Sequence, residues 1–472
     1  RHLRWRAGSP GTEPSCAMAG AGLVGYVTDC EGDLANWKQY VELSQILSRG
    51  ADGSLELLDG ATFVYGGDVV DHYPGDLAIL EDLLALKRRY PDRVRLILGN
   101  RDINKLRLPT ELSELHRQAW PLSEHPGAYF TKAPSDTLSA EELALDSMAV
   151  RLRWILRDTM GAARAFESRR QELSQRAGGR EVEDEEVVQS FLTIAQPGGL
   201  LFEYLCLGEL AVRIGSTLFL HAGLPRSGAN WAPGWIPGPP ARAGVPLAEW
   251  LAALEELRAG ALAEVNAAFE AGKLAVADAW SLRGQGGYEH PQPGSMLLQY
   301  GMRDTPDGSA QPTIVYNGWL NSDDYLPMAP PDEATLEWLR EGGVRRVVSG
   351  HLPHGDAPLV LRLADGLEVI TADLTYASNT AWEDGRGGKC PACCEVLLGP
   401  GEAEARVHGV LSNGMSYDAS LDDPVIGSVL ADGWRVKGRT RGTEGEPGHF
   451  VLSRNKVWDF EARLAPFDDL KR

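Results

Sequence analysis

Asp29 and Glu31 end the apolar run "LVGYVTDCEG" with a single residue between them, and this ending recurs along the chain. Asp68 and Asp71 follow "ATFVYGG", Asn100 and Asp102 follow "RVRLILG", His221 follows "STLFL", and His351 and His354 follow "VRRVVSG". Acids so close together repel unless something positive sits between them. A mixture of carboxylate, amide and imidazole donors suits a pair of divalent ions such as Mn, Fe, Zn or Mg, which one carboxylate can bridge at about 3.5–4 Å. The glycines in "GGD", "LGN" and "SGH" let the backbone turn sharply beside those donors.

Such donors must be delivered by elements that end in one place. From Gly22 to about Arg107 the pattern is strand "LVGYVTD", helix "NWKQYVELSQIL", strand "ATFVYGGD", helix "DLAILEDLLALKRRY" and strand "RVRLILGNRD". The helices carry apolar residues at three- and four-residue spacing, and the strands are short, continuous apolar runs like those of buried parallel sheets. Ligands of open α/β sheets bind just beyond the carboxyl ends of the strands, so the polar residues there are expected to converge. A helical insertion is expected over about 108–210, with helix-like runs at 139–160 and 163–176. Its acidic "EVEDEE" is read first as a solvated helix face or loop. A Pro/Gly/Trp loop, "ANWAPGWIPGPPARAG", follows the His221 strand, and Trp231 and Trp235 in it are read either as a groove lining or as apolar anchors. Residues 1–21 read as a tail, 22–382 as the main domain including the insertion, and 383–472 as a small β-rich appendage.

In this order and spacing, "TDCEGD", "GGDVVD", "GNRD", "LFLHAGLP" and "SGHLPH" resemble the calcineurin-like metallophosphoesterase superfamily, nearest its phosphoprotein-phosphatase-like branch. The resemblance covers about 22–107, 212–226 and 343–378. It implies a four-layer α/β/β/α sandwich with two metal ions and in-line attack of an activated water on phosphorus. By resemblance Asp68 matches the bridging aspartate, Asp29 a ligand of the first ion, and Asn100, His221 and His351 ligands of the second. His354 is carried as a further ligand candidate, although the family's second histidine follows the first by two residues and here the gap is three.

Three departures from the family pattern shape the chemistry. The usual Asp-x-His is Asp29-Cys30-Glu31, which makes the first site harder and more anionic and favours Mn or Mg over Zn. The usual "GNH" is Gly99-Asn100-Arg101, so the histidine that is the general acid in relatives is missing. The usual "DRG" is Asp71-His72-Tyr73, so a phosphate-gripping arginine is missing too. Arg101, paired to Asp71, is therefore expected to grip phosphate, and His72 to supply an imidazole. The reading that follows is a dinuclear-metal phosphoric ester hydrolase acting on phosphoserine/threonine proteins. The alternatives are a nucleotide or small phosphomonoester hydrolase, or a catalytically weak metal- or phosphate-binding module.

Composition narrows the partners. The 472 residues carry a net charge of -20, with 43% hydrophobic and 24% charged residues, which argues against nucleic acid or an anionic membrane as a partner. No apolar run of 18 or more residues suggests a membrane span. Six cysteines are too sparse for a disulfide scaffold, so a reducing, cytoplasmic setting is expected. Cys30 is expected to point into the core. The cluster "CPACC" lacks a second thiol pair at zinc spacing. Isolated histidines such as His116, His125, His290, His408 and His449 are read as exposed, and Asp373 as an acid that orients a ligand histidine.

Overall fold

The computed structural model describes residues 22–128, 131–238, 240–276, 292–304, 310–321, 326–374, 392–400, 404–440, 448–456 and 459–467. The expected tail, the boundary at 382/383, Cys16, His290 and Cys390 lie outside the described residues. Three parallel strands, Val24–Val27, Thr62–Tyr65 and Val94–Leu96, lie side by side as the alternating pattern predicts. Asp33 starts the intervening helix Leu34–Leu43 by accepting a hydrogen bond from the Asn36 N–H, which satisfies a donor the helix leaves open. The second helix, Asp76–Arg89, carries an acid in its first turn and Lys87, Arg88 and Arg89 in its last, the polarity that the helix dipole favours. A hairpin of Leu47–Arg49 with Leu55–Leu57, which the sequence pattern did not single out, fills the connection between the first helix and the second strand.

The result is a mixed α/β architecture with a large sheet and flanking helices. On the far side of Val24–Val27, the strand Cys393–Leu398 pairs antiparallel with it, and Ala405–Val410, Ser416–Ser420, Arg435–Thr440, His449–Lys456 and Asp459–Pro466 continue the same sheet to nine strands. The C-terminal strands thus extend the sheet that carries Val24–Val27. The first of them is buried along its whole length, with Cys393 and Leu397 packed among the helices and Cys394, Val396 and Leu398 on the opposite face. That two-residue alternation is the pleat of a strand covered on both sides.

A second sheet of five strands runs in the order Leu359–Arg362, Glu368–Thr371, Arg346–Ser349, Thr217–Leu220 and Ala211–Ile214. Its middle three are parallel. One core cluster takes Tyr26, Val64 and Val396 from the large sheet together with Phe219, Val348 and Ile370 from the small one. The opposite faces, with Phe63 and Tyr65 on one sheet and Leu218 and Val347 on the other, pack among helical residues such as Leu80, Leu84 and Trp250.

The insertion is helical and has its own core of Leu108, Leu152, Trp154, Phe166, Val187 and Phe191. The expected run at 139–160 is broken. Ala140–Leu145 ends at Asp146 with φ 36°, and Ser147 then caps Met148–Trp154. The second run appears as Ala165–Arg176, and "EVEDEE" forms the capped start of Asp184–Ala195. His116 and His125 are buried in this region, 5.8 Å apart, rather than exposed. His408 is buried as well, with Nε2 2.9 Å from Glu395. Cys30 lies in the core as expected. Trp231 and Trp235 pack against Trp319 and Tyr300, the anchoring alternative.

Glu395 ties the C-terminal strands to the first helix. Its fully buried carboxylate accepts hydrogen bonds from the Tyr40 hydroxyl, the Ser44 hydroxyl and the Gln45 N–H, and meets His408. Leaving those donors unmatched is expensive, so Glu395→Ala is expected to lower stability by about 3 kcal/mol or more in denaturant titration. Deleting residues 392–472 is expected to abolish cooperative melting, because it strips one side of the strand Val24–Val27. A separate appendage would leave melting intact.

Candidate metal centre

The loops after five strands meet at one edge of the two sheets. Two groups of potential ligand atoms lie there, each with all atoms within 4.8 Å of one another: Asp29, Glu31 and Asp68 in one, and Asp68, His221 and His351 in the other. Asp68 belongs to both, the position a bridging carboxylate requires. Asn100 reaches the second group with Oδ1 3.2 Å from His221 Nε2. All four carboxylates, Asp29, Glu31, Asp68 and Asp71, are at most 2% exposed.

The backbone is bent to bring these side chains in. Among the described residues, six non-glycine positions have φ in the left-handed region, and five of them are Asp29, Glu31, Asp68, Asp71 and His351. Each such conformation costs about 1–3 kcal/mol and persists only where the surroundings enforce it. Neighbouring glycines leave the space this needs. A Cβ on Gly99 would collide with the Asp68 carboxylate, and one on Gly350 with that of Asp29.

Hydrogen bonds orient the donors. His221 Nδ1 lies 2.9 Å from the Gly66 carbonyl oxygen, so Nδ1 keeps a proton and Nε2, 3.4 Å from Asp68 Oδ2, is the nitrogen an ion would take. The Asp29 carboxylate accepts from the Thr28 hydroxyl and from the His351 N–H. Tyr316 sets its ring 4.9 Å from that of His351. Asp102 is fully buried and gathers three backbone N–H groups, from Asp68, Val69 and Gly99, so it locks two of the ligand loops to each other.

Charge in this pocket is strongly coupled. Burial pushes the Asp68 carboxyl up, but the charges of His221 and Arg101 outweigh it and hold it well below the usual carboxylate range. For His221 burial pushes the imidazole down, and the combined pull of Asp68, Asp29 and the Gly66 carbonyl raises it to about 10. Burial and the neighbouring His221 charge push His351 down to about 3. Burial and the Asp68 charge push Asp102 up to about 7 against the N–H groups of Gly99 and Val69.

Arg101 reaches into the first group: its Nε is 2.8 Å from Glu31 Oε1 and 3.5 Å from Asp68 Oδ2, and Nη1 is 3.5 Å from Asp71. The side chain remains 19% exposed, so the guanidinium sits at the mouth of the site. His72 Nε2 stands 3.8 Å from Glu31 Oε2. His354 is the exception among the expected ligands. It lies outside both groups, with Nδ1 2.8 Å from the buried Lys437 Nζ, because the extra residue after His351 carries it to the C-terminal strands. Asp373 is buried and acts electrostatically on Tyr26.

Sequence reasoning assigned no role to Asp102 or Lys105. Lys105 is buried, with Nζ 2.7 Å from Asp71 Oδ1 and 3.0 Å from the Arg101 carbonyl oxygen. The only signal for it was a lysine four residues after Arg101 at the start of a helical segment. The donor set, buried carboxylates and His221 with the half-buried Asn100 and His351 and with Asp68 shared, fits a pair of divalent ions.

No protein-family model and no curated relative matches the sequence. Among solved structures, a cold-active protein-tyrosine phosphatase of a psychrophilic Shewanella species is similar with 15% identity and a TM-score of 0.41, over 85% of this chain and 81% of that one. A protein serine/threonine phosphatase from Saccharomyces cerevisiae is similar with 12% identity and a TM-score of 0.33, over 81% and 74%. These neighbours are phosphatases. At such values the activity of this chain has to be argued from its own residues.

Two outcomes are expected of the metal-stripped protein. Because His221 holds a proton up to about pH 10 without an ion, binding Mn near neutral pH must displace that proton, so affinity should rise with pH by up to about tenfold per unit. His351, already neutral, adds nothing to that slope. Calorimetric titration checks this, and a flat profile would remove His221 from the ligand set. Glu31→His should raise affinity for Zn and Fe relative to Mn in competition titrations.

Proposed function

We propose that the chain is a metal-dependent phosphomonoesterase of the calcineurin-like type, a four-layer sandwich whose preferred substrate is a phosphoserine/threonine protein. The observation that carries this reading is the convergence of Asp29, Glu31, Asp68, Asp71 and His351 at one sheet edge, all with left-handed φ. Backbone strain concentrated at buried acids has no use in a turn or a helix cap, where an unstrained aspartate serves as well.

Asp29, Glu31 and Asp68 would hold one ion, and Asp68, Asn100, His221 and His351 the other. Bound there, two divalent ions would offset phosphate charge and lower the pKa of water. The chain's own residues do the rest. Arg101 stays charged at any working pH and presents its guanidinium to phosphoryl oxygens, braced by Asp71, which Lys105 holds in turn. It cannot donate a proton to the leaving group. His72, beside Glu31, is the imidazole in reach for that task. Tyr316 and Gly66 fix the two ligand histidines and keep their rings from turning.

A second reading rests on one contact. Arg101 Nε lies at hydrogen-bond distance from Glu31, a ligand candidate, so the guanidinium competes with an ion at the first site. A binding module with weak or no turnover would tolerate that competition.

Hydrolysis of an aryl phosphate with added Mn separates the two. Turnover that Asp68→Asn abolishes supports the phosphatase, and no turnover across a screen of divalent ions supports the module. Within the phosphatase reading, Arg101→Ala should slow aryl and alkyl phosphates alike by about 10²-fold. His72→Ala should spare aryl phosphates and cost alkyl phosphates such as phosphoserine about 10²–10⁴-fold. Unchanged rates in Arg101→Ala would reduce that residue to a structural partner of Asp71.

A further inference from the structure

The segment Asp71–Gly75 carries both Asp71 and His72 and is fastened from two sides. On the metal side, the Glu31 carbonyl oxygen accepts hydrogen bonds from the N–H groups of His72 (3.1 Å) and Tyr73 (3.0 Å). On the other side stands one face of the insertion helix Ala165–Arg176. Ser168 Oγ donates to the His72 carbonyl oxygen at 2.8 Å. Arg169 Nη2 donates to Asp76 Oδ2 at 2.8 Å, and Asp76 Oδ1 accepts the Asp71 N–H at 3.1 Å. Glu172 accepts from the N–H groups of Leu77 and Ala78 at 3.0 and 3.1 Å.

These contacts compensate for a local weakness of the sequence. The residue before the helix Asp76–Arg89 is Gly75, which has no side chain to cap its open N–H groups, so Glu172 caps them from another part of the chain. Arg169, Asp76 and Glu172 are at most 3% exposed. One guanidinium lies between two acids, with Arg169 Nε 3.7 Å from Glu172 Oε2. Its other end is anchored on Ser190 Oγ at 3.0 Å and over the Phe191 ring, so the segment at the metal edge is tied to two insertion helices.

We infer that Arg169 is a positioning residue for phosphoester hydrolysis: through Asp76 it fixes the backbone of Asp71, and with Ser168 it sets His72 against Glu31. The inference rests on the phosphatase reading and gives the insertion a part in building the centre. A segment that carries His72 and has left-handed φ at Asp71 needs such outside support to hold its conformation.

The test compares Arg169→Met, Arg169→Lys and Ser168→Ala with Arg153→Met, a change at a more exposed pair with Asp184 in the same insertion. Each variant is assayed on a leaving-group series of aryl and alkyl phosphates with Mn, and Mn affinity is measured separately. Arg169→Met is expected to lower kcat by about 10²-fold with KM little changed, since a shift of about 1 Å can cost that much. It should also steepen the dependence on leaving-group pKa, because His72 moves. Arg169→Lys should recover part of the loss, and Arg153→Met should match wild type. Ser168→Ala, which removes one contact only, keeps the test open if Arg169→Met does not fold. An unchanged leaving-group slope in the folded variants would overturn the inference. If wild type itself shows no turnover, the phosphatase reading fails, while Mn affinity still tests the latch: a fall of about 10–100-fold in Arg169→Met supports it, and equal affinity overturns it.

Discussion

Mutual repulsion among Asp29, Glu31, Asp68 and Asp71 is the constraint around which the molecule is organised. Four carboxylates at most 2% exposed cannot share one sheet edge unless positive charge and hydrogen bonds hold them. The protein supplies part of that compensation itself. Arg101 brings a permanent charge, Lys105 an ammonium that burial pulls below its usual range and Asp71 supports, and Thr28 and the backbone N–H groups of Arg101 and His351 add donors. Asp68 and Asp29 raise the His221 imidazole against its burial, which marks the negative potential a divalent ion would meet.

The rest of the structure serves to hold that arrangement still. Parallel strands from both sheets end at the site, so their loops approach each other while the strands stay buried. Asp102 joins two of the loops through three N–H groups. The insertion reaches the same place through Ser168, Arg169 and Glu172, and the Met160 carbonyl oxygen lies 3.4 Å from Arg101 Nη1. A region that reads as an accessory in the sequence thus touches both the segment bearing His72 and the guanidinium. The described residues contain no helix long and apolar enough to cross a membrane.

The large sheet shows how far local pattern carries a fold assignment. The βαβαβ unit was legible because each strand and helix announces its period within about ten residues. The place of the C-terminal strands was not. "CEVLLG" reads the same at a sheet's edge as beside Val24–Val27, and its pairing partner lies far away in sequence. Buried histidines were misjudged for a similar reason: His116, His125 and His408 owe their burial to packing by distant residues, and nothing beside them in the chain signals it.

By itself the sequence determined which residues could do the chemistry, because donor type and position after a strand are local properties. Asp29, Glu31, Asp68, Asn100, His221 and His351 were all nameable from their motifs as candidate ligands. Only the tertiary structure decided which donors meet. It set Asp68 in both groups, took His354 away to Lys437, made Asp102 the tie between two ligand loops, and brought in Lys105 and Arg169 from outside the motifs. The physical reason is that a ligand's identity is written in one residue, whereas its position depends on burial and on hydrogen bonds to segments that are distant in the chain.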